Sequence, residues 1–331
     1  MRTLIVLVAL LGSSAAALDI PSATEYARAN GGDALLVWQD GREVYAAGQN
    51  GFDLEGAHYL ASGSKSFACA MAVAAQDDGL LTLDEPVSKT ILEWRTGDKA
   101  RVTIRHLLSF TSGLPGSAAA PGTVSRVEDL NRQALALPLT AKPGARYTYG
   151  NAHLAVFNEV VKRKTGLPAD AYLARRILEP IGVSTITWTR DRASNAQLAG
   201  GASLAARDWL RFGQLMLSGG VWNGARVLSS AGLAQCMKGS SALAIYGLTW
   251  WLNVPAAGTI DASDVIPARG FGLPNLQGFT RFSPSAPEDL YMAAGAGNQR
   301  LYIVPSLRLV VVRFARGGEW SDEAFLSRLL R

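Results

Sequence analysis

The apolar positions of this chain change period twice. Near the amino end, Leu35-Leu36-Val37-Trp38 and Val44-Tyr45 flank Asp40-Gly41, which predicts two short strands around a tight turn over residues 34–47. From Ser62 to about residue 218 the repeat is helical. Phe67, Met71 and Ala74 recur at spacings of four and three and end at Gly79, a C-terminal cap; Leu154, Phe157 and Val161 end at Gly166; Trp209, Phe212 and Met216 run up to Gly219-Gly220. The carboxyl third returns to branched and aromatic runs at Tyr246 to Leu252, Leu290 to Ala294, Leu301 to Val304 and Leu309 to Phe314, followed by a last helix from Ser321 to Leu329. Strands at both ends of a mainly helical middle predict an α+β fold. One antiparallel sheet is built from both chain ends (about residues 18–60 and 240–331) and flanked by a mainly helical part (about 61–239), with a cleft between them.

The first residues modify this picture. Met1-Arg2-Thr3, the apolar Leu4 to Leu11 and the small Ala15-Ala16-Ala17 follow the order of a secretory signal peptide, residues 1–17, leaving one domain over 18–331. The apolar run is too short to span a bilayer, so the expectation is a periplasmic or secreted protein without a stable membrane anchor. The net charge of +5 is spread along the chain apart from Lys162-Arg163-Lys164, which suits the last turn of a helix better than a nucleic-acid surface. Export permits a disulfide between Cys69 and Cys236, but Cys69 falls on an apolar helix among small residues, which favours a buried free thiol. His58, His106 and His153 have no metal-ligand spacing, so no metal or other cofactor is expected.

The candidate chemistry lies in Ser62-Gly63-Ser64-Lys65. A serine hydroxyl needs a base within hydrogen-bond reach, and an S-x-x-K spacing on a helix places an amine about one turn away. In the first turn of a buried helix, the dipole and desolvation both favour the neutral amine, and the serine's own N–H is free to bind an oxyanion. No G-x-S-x-G elbow surrounds Ser62, which argues against a Ser-His-Asp hydrolase. The S-x-x-K spacing is common on its own.

A second constellation, Tyr149-Gly150-Asn151, precedes the helix of Leu154 and Phe157. Together with Asp78 to Asp84, Thr103 to Pro115 and the stretch from Gly295 to Pro305, it makes the chain resemble the serine β-lactamase and penicillin-binding-protein-like superfamily, especially its class C, D-aminopeptidase, esterase and 6-aminohexanoate-dimer hydrolase branches. The resemblance covers nearly all of residues 18–331. It implies that Ser62 is the acylated nucleophile, Lys65 its proton acceptor and Tyr149 the relay to the leaving group, with an adjacent ammonium favouring the ionised phenol. It also implies that Asn151 bonds the substrate and helps to position Lys65, besides any use as a helix cap, and that the N–H groups of Ser62 and Ala296 form the oxyanion hole.

The chain departs from that pattern at its third motif. Relatives often carry a lysine or histidine there, whereas this chain reads Ala293-Ala294-Gly295-Ala296-Gly297-Asn298-Gln299. Without the cation, an ester or small amide is expected as substrate rather than a β-lactam or a D-alanyl peptide, and a catalytically idle sensor of peptidoglycan is the reading from another class. Arg300 and Arg281 are the nearby cations, each expected as a solvated surface residue. His106 and His153 are expected as scaffold, and Trp250 and Trp251 on opposite faces of a strand.

Overall fold

The computed structural model describes residues 17–120, 122–256 and 280–331, so the expected leader lies outside the described residues except for Ala17. The chain opens with a helix that the apolar pattern does not signal, α1 (Ile20–Ala29). Asp19 caps it by accepting from the Ser22 N–H at 3.0 Å, and only Ala23 and Ala27 are buried, a stripe too thin to show as periodicity. The hairpin follows as β1 (Gly32–Gln39) and β2 (Arg42–Gly48), and Asp40 and Gly41 take φ of 53° and 85°, the turn geometry that matches strand twist.

β3 (His58–Tyr59) leads into a 3₁₀ turn over Ala61–Lys65 and then α2 (Ser66–Asp77). The middle of the chain carries α3 (Ile104–Leu108), α4 (Leu130–Ala136), α5 (Ala152–Thr165), α6 (Ala169–Leu173), β4 (Thr187–Trp188), β5 (Ala202–Leu204), α7 (Ala206–Leu217), the small pair β6 (Val221–Trp222) and β7 (Ala225–Arg226), and α8 (Ser230–Cys236). The expected glycine stops are present, with Gly79 and Gly166 at φ 72° and Gly219 and Gly220 at φ 65° and 87°. The carboxyl part supplies β8 (Trp251–Leu252), β9 (Tyr291–Gly295), β10 (Gln299–Val304), β11 (Leu309–Ala315) and α9 (Asp322–Leu329). The strand expected from Tyr246 is shorter: Thr249 stands at φ 68°, and only a bridge joins Tyr246 to Trp251.

Six strands form one antiparallel sheet in the order β2-β1-β11-β10-β9-β8, built from both chain ends as expected. Alternation along β10 and β11 assigns its two faces. Phe314 stacks on Trp209 of α7, ring centroids 5.8 Å apart, so the even positions of β11 meet the helical part. Tyr302 stacks on Phe325 of α9 at 5.8 Å, so the opposite positions meet the terminal helices, where α9 packs with α1.

Two expectations need correction. Cys69 and Cys236 form a disulfide, Cα atoms 5.9 Å apart, because α8 packs against α2 after a sequence separation of 167 residues. Arg300 is not a solvated residue. It is fully buried on the α9 face, with its Nε donating to Asp322 Oδ1 at 2.8 Å. Arg281 pairs with Glu288 at 3.2 Å near the surface.

Candidate active site

Ser62 and Lys65 belong to the 3₁₀ turn, not to the α-helix expected there, which begins at Ser66. Three residues per turn set side chains i and i+3 one above the other, and Lys65 Nζ lies 2.9 Å from Ser62 Oγ. The turn opens at Ala61 with φ 46°, a left-handed conformation that an alanine keeps only when its surroundings hold it. Those surroundings are in place. Ser64 Oγ donates to the Ala61 carbonyl at 2.7 Å and accepts from the Ala202 N–H of β5 at 3.0 Å, and a Cβ on Gly63 would stand 2.9 Å from the Trp209 ring.

Lys65 is buried, and its amine donates to the Ala199 carbonyl at 2.5 Å and lies 4.7 Å from the centre of the Tyr149 ring. Burial lowers its pKa to about 7. Tyr149 is hydrogen-bonded to Ser62, but burial outweighs that contact and pushes the phenol well above its ordinary value. Burial thus works against the expected phenolate and favours the protonated phenol.

Tyr149 is held on several sides. Trp251 stacks on it at 5.9 Å, Phe110 meets it edge-on at 5.5 Å, and Tyr246 lies edge-on at 6.3 Å. Trp250 turns the other way and stacks on Phe212 of α7 at 6.3 Å. Behind this wall His153 is fully buried, stacked on Phe110, donating from Nε2 to the Thr148 carbonyl at 2.7 Å and accepting at Nδ1 from Ser112 at 2.8 Å. Burial lowers its pKa to about 4, so it is a neutral prop for the residue before Tyr149. His106 completes a capping box with Thr103 at the start of α3.

Among the described residues, the structure shows neither a cap bond nor a Lys65 bond for the Asn151 side chain. The residue occupies the N-cap position of α5. Its amide accepts from the Ala118 N–H at 2.8 Å and donates to the Ala119 carbonyl at 3.1 Å, tying down the 118–119 loop, while Ala199 holds Lys65. Ala296 follows Gly295 at the end of β9. A Cβ on Gly295 would fall 2.0 Å from the Leu60 carbonyl and 3.0 Å from the Gly63 N, so the third-motif strand lies directly against the Ser62 turn. Sequence reasoning missed Ala199, Ser64 and Trp209: a backbone carbonyl carries no residue signature, and the other two look like ordinary helix and turn residues.

Solved structures establish the class of fold. The chain is similar to "Putative 6-aminohexanoate-dimer hydrolase from Bacillus anthracis", with a TM-score of 0.72 and 20% identity over 90% of this chain and 77% of that one. It is also similar to EstCE1, described as a hydrolase with promiscuous acyltransferase activity, with a TM-score of 0.68 and 17% identity over 94% of this chain and 96% of that one. The β-lactamase/transpeptidase-like architecture expected from the sequence is thus present. Residues 22–331 match the model of the Beta-lactamase family, and the chain belongs to that family. Among curated proteins, it is 31% identical over 157 residues to monacolin J acid methylbutanoyltransferase of Aspergillus terreus (strain NIH 2624 / FGSC A1156), a match that covers 39% of this chain and 37% of that protein. The chain therefore spans well under half the length of that relative.

Proposed function

We propose that this protein is a serine hydrolase that forms an acyl-enzyme on Ser62 and cleaves esters or small amides. The observation that carries the proposal is Lys65: a buried amine with its pKa lowered to about 7 lies 2.9 Å from the Ser62 oxygen. At neutral pH a large fraction of that amine is free to accept a proton, whereas an ordinary lysine is almost wholly protonated.

Ser62 Oγ attacks the substrate carbonyl while its proton passes to Lys65 Nζ. The carbonyl oxygen gains the negative charge and is met by the N–H groups of Ser62 and Ala296. Tyr149, a protonated phenol, gives its proton to the departing alkoxide or amine and is reprotonated from the Lys65 ammonium. Water then attacks the acyl-enzyme along the reverse proton path, which restores Ser62. The wall of Trp251, Phe110 and Tyr246 around Tyr149 supports an uncharged substrate. The third motif supports the same choice, since Ala293 and Ala294 stand where relatives often place a cation. A second reading replaces water by an alcohol acceptor, giving acyl transfer; the methylbutanoyltransferase and EstCE1 similarities favour it.

The test is incubation of the mature protein with a fluorophosphonate, followed by peptide mass analysis, and turnover of para-nitrophenyl butyrate with and without an alcohol acceptor. A Ser62 adduct absent from Ser62→Ala is expected; no adduct and no turnover would leave the idle-sensor reading in its place. Export to the periplasm or medium is part of the proposal, supported by the leader pattern and by the Cys69–Cys236 disulfide. Fractionation with sequencing of the mature amino terminus tests it, with Leu18 expected first.

A further inference from the structure

Ala293 and Ala294 stand at the third motif where relatives often carry a cation, and two arginines are buried immediately behind that motif. Arg300 and Arg313 face each other across β10 and β11, both with no solvent exposure. Arg300 donates to both carboxylate oxygens of Asp322, at 2.8 and 3.4 Å, and Asp322 Oδ1 also accepts from Tyr302 Oη at 2.5 Å and from Trp320 Nε1 at 3.1 Å. The Arg313 guanidinium lies 3.6 Å from the centre of the Trp320 ring. Burial alone would raise the Asp322 carboxyl, but the Arg300 charge and these hydrogen bonds outweigh it and hold the group below its usual range.

Each arginine directs one nitrogen, Nη1, at the turn that carries Ala296, while Arg313 Nη2 donates to the Asn30 carbonyl at 2.6 Å. Arg300 Nη1 donates to the Gln299 carbonyl at 3.0 Å and, at 3.5 Å, to the Gly295 carbonyl. Arg313 Nη1 donates to the Asn298 carbonyl at 2.7 Å. Gln299 Nε2 reaches the carbonyls of Ala296 and Gly297 at 3.3 and 3.2 Å, and is itself anchored by two bonds to the Ala315 backbone. Every carbonyl from Gly295 to Gln299 thus has a donor on or behind the sheet. The Gly295 carbonyl and the Ala296 N–H share one planar trans peptide and point in opposite directions. Holding the first aims the second.

We infer that Arg300, clamped by Asp322, is a positioning residue that fixes the Ala296 N–H toward the Ser62 turn from the far face of the sheet. The inference rests on the acyl-enzyme reading for its effect on rate, though not for its effect on the backbone. An oxyanion donor acts only if it is already in place when charge develops, so a loosened turn lowers kcat more than it alters KM.

Two variants test it in the full mature protein. Arg300→Lys keeps a cation for Asp322 but loses the planar fork that reaches two carbonyls. Arg300→Met with Asp322→Leu removes the ion pair as a unit, a replacement that buried pairs often tolerate. In both, the Ala296 amide is expected to exchange hydrogen at least about tenfold faster while peptides over Ser62–Lys65 exchange as in the parent. On para-nitrophenyl butyrate, kcat should fall about 10- to 100-fold with KM within about twofold, and Arg300→Lys should retain more than the double variant. Unchanged exchange at Ala296 in a folded variant would overturn the inference, as would a rate loss that only follows the unfolded fraction. Failure of the parent to label at Ser62 would sink the acyl-enzyme reading instead, and the exchange result would still decide whether Arg300 holds the turn.

Discussion

Lys65 and Arg300 both carry side chains that are cations in water, both are buried, and they sit on opposite sides of the β9–β10 part of the sheet. Their fates differ because of their partners. Lys65 meets a hydroxyl, a carbonyl and an aromatic ring, none of which repays the loss of water, so its ammonium is destabilised and its pKa falls to about 7. Arg300 meets a carboxylate that it shares with Tyr302 and Trp320, and a guanidinium does not give up its proton within the usual range. Burial without a counter-charge makes a base; burial with one makes a fixed strut. On the proposed reading, the near face serves proton transfer and the far face rigidity.

The sharpest way to break this comparison is to remove the base. Lys65→Met should lower kcat/KM about 10²- to 10⁴-fold on a nitrophenyl ester while leaving a folded protein by circular dichroism, because no ion pair is lost. Asp322→Asn attacks the other face and should do the reverse in kind: Arg300 is left buried without its charge partner, and urea unfolding should show a loss of about 3–5 kcal/mol. Equal stability losses in the two variants would erase the distinction between the faces. Reduction of the disulfide, or Cys69→Ser with Cys236→Ser, should cost about 2–4 kcal/mol, since the bridge ties α2 to α8 over a long loop.

A further effect comes from pH. Below the Lys65 pKa of about 7, the amine is charged and turnover should fall about tenfold per pH unit. Stability should follow the linkage of a depressed lysine: the unfolded chain binds the proton more tightly, so the penalty is complete below about 7 and is relieved as pH rises toward the ordinary lysine value of 10.5. Lys65→Met should flatten that slope in urea midpoints measured across the same range.

Much of this architecture was legible in the sequence. The hairpin, the helices ended by Gly79 and Gly166, and the closing strands stood out because their apolar periods and turn residues agree with the fold. So did Ser62, Lys65 and Tyr149, whose types and spacings carry chemistry. What stayed hidden depended on contacts between distant segments. The Cys69–Cys236 bridge, the Ala199 carbonyl on Lys65 and the pairing of Arg300 with Asp322 each need the fold before they exist. Charged residues in strands near a chain end look like surface, and only α9 closing over β10 makes Arg300 internal. The cap use open to Asn151 is absent for a related reason: its side-chain amide bonds the nearby 118–119 loop instead of the first turn of α5.

The claim that Lys65 is the neutral base of Ser62 is tested most directly by the rate of fluorophosphonate labelling at Ser62 as a function of pH. A sigmoidal rise with its midpoint at about 7, lost in Lys65→Met, is predicted. A midpoint near the ordinary lysine value of 10.5, or the same profile in Lys65→Met, would contradict it.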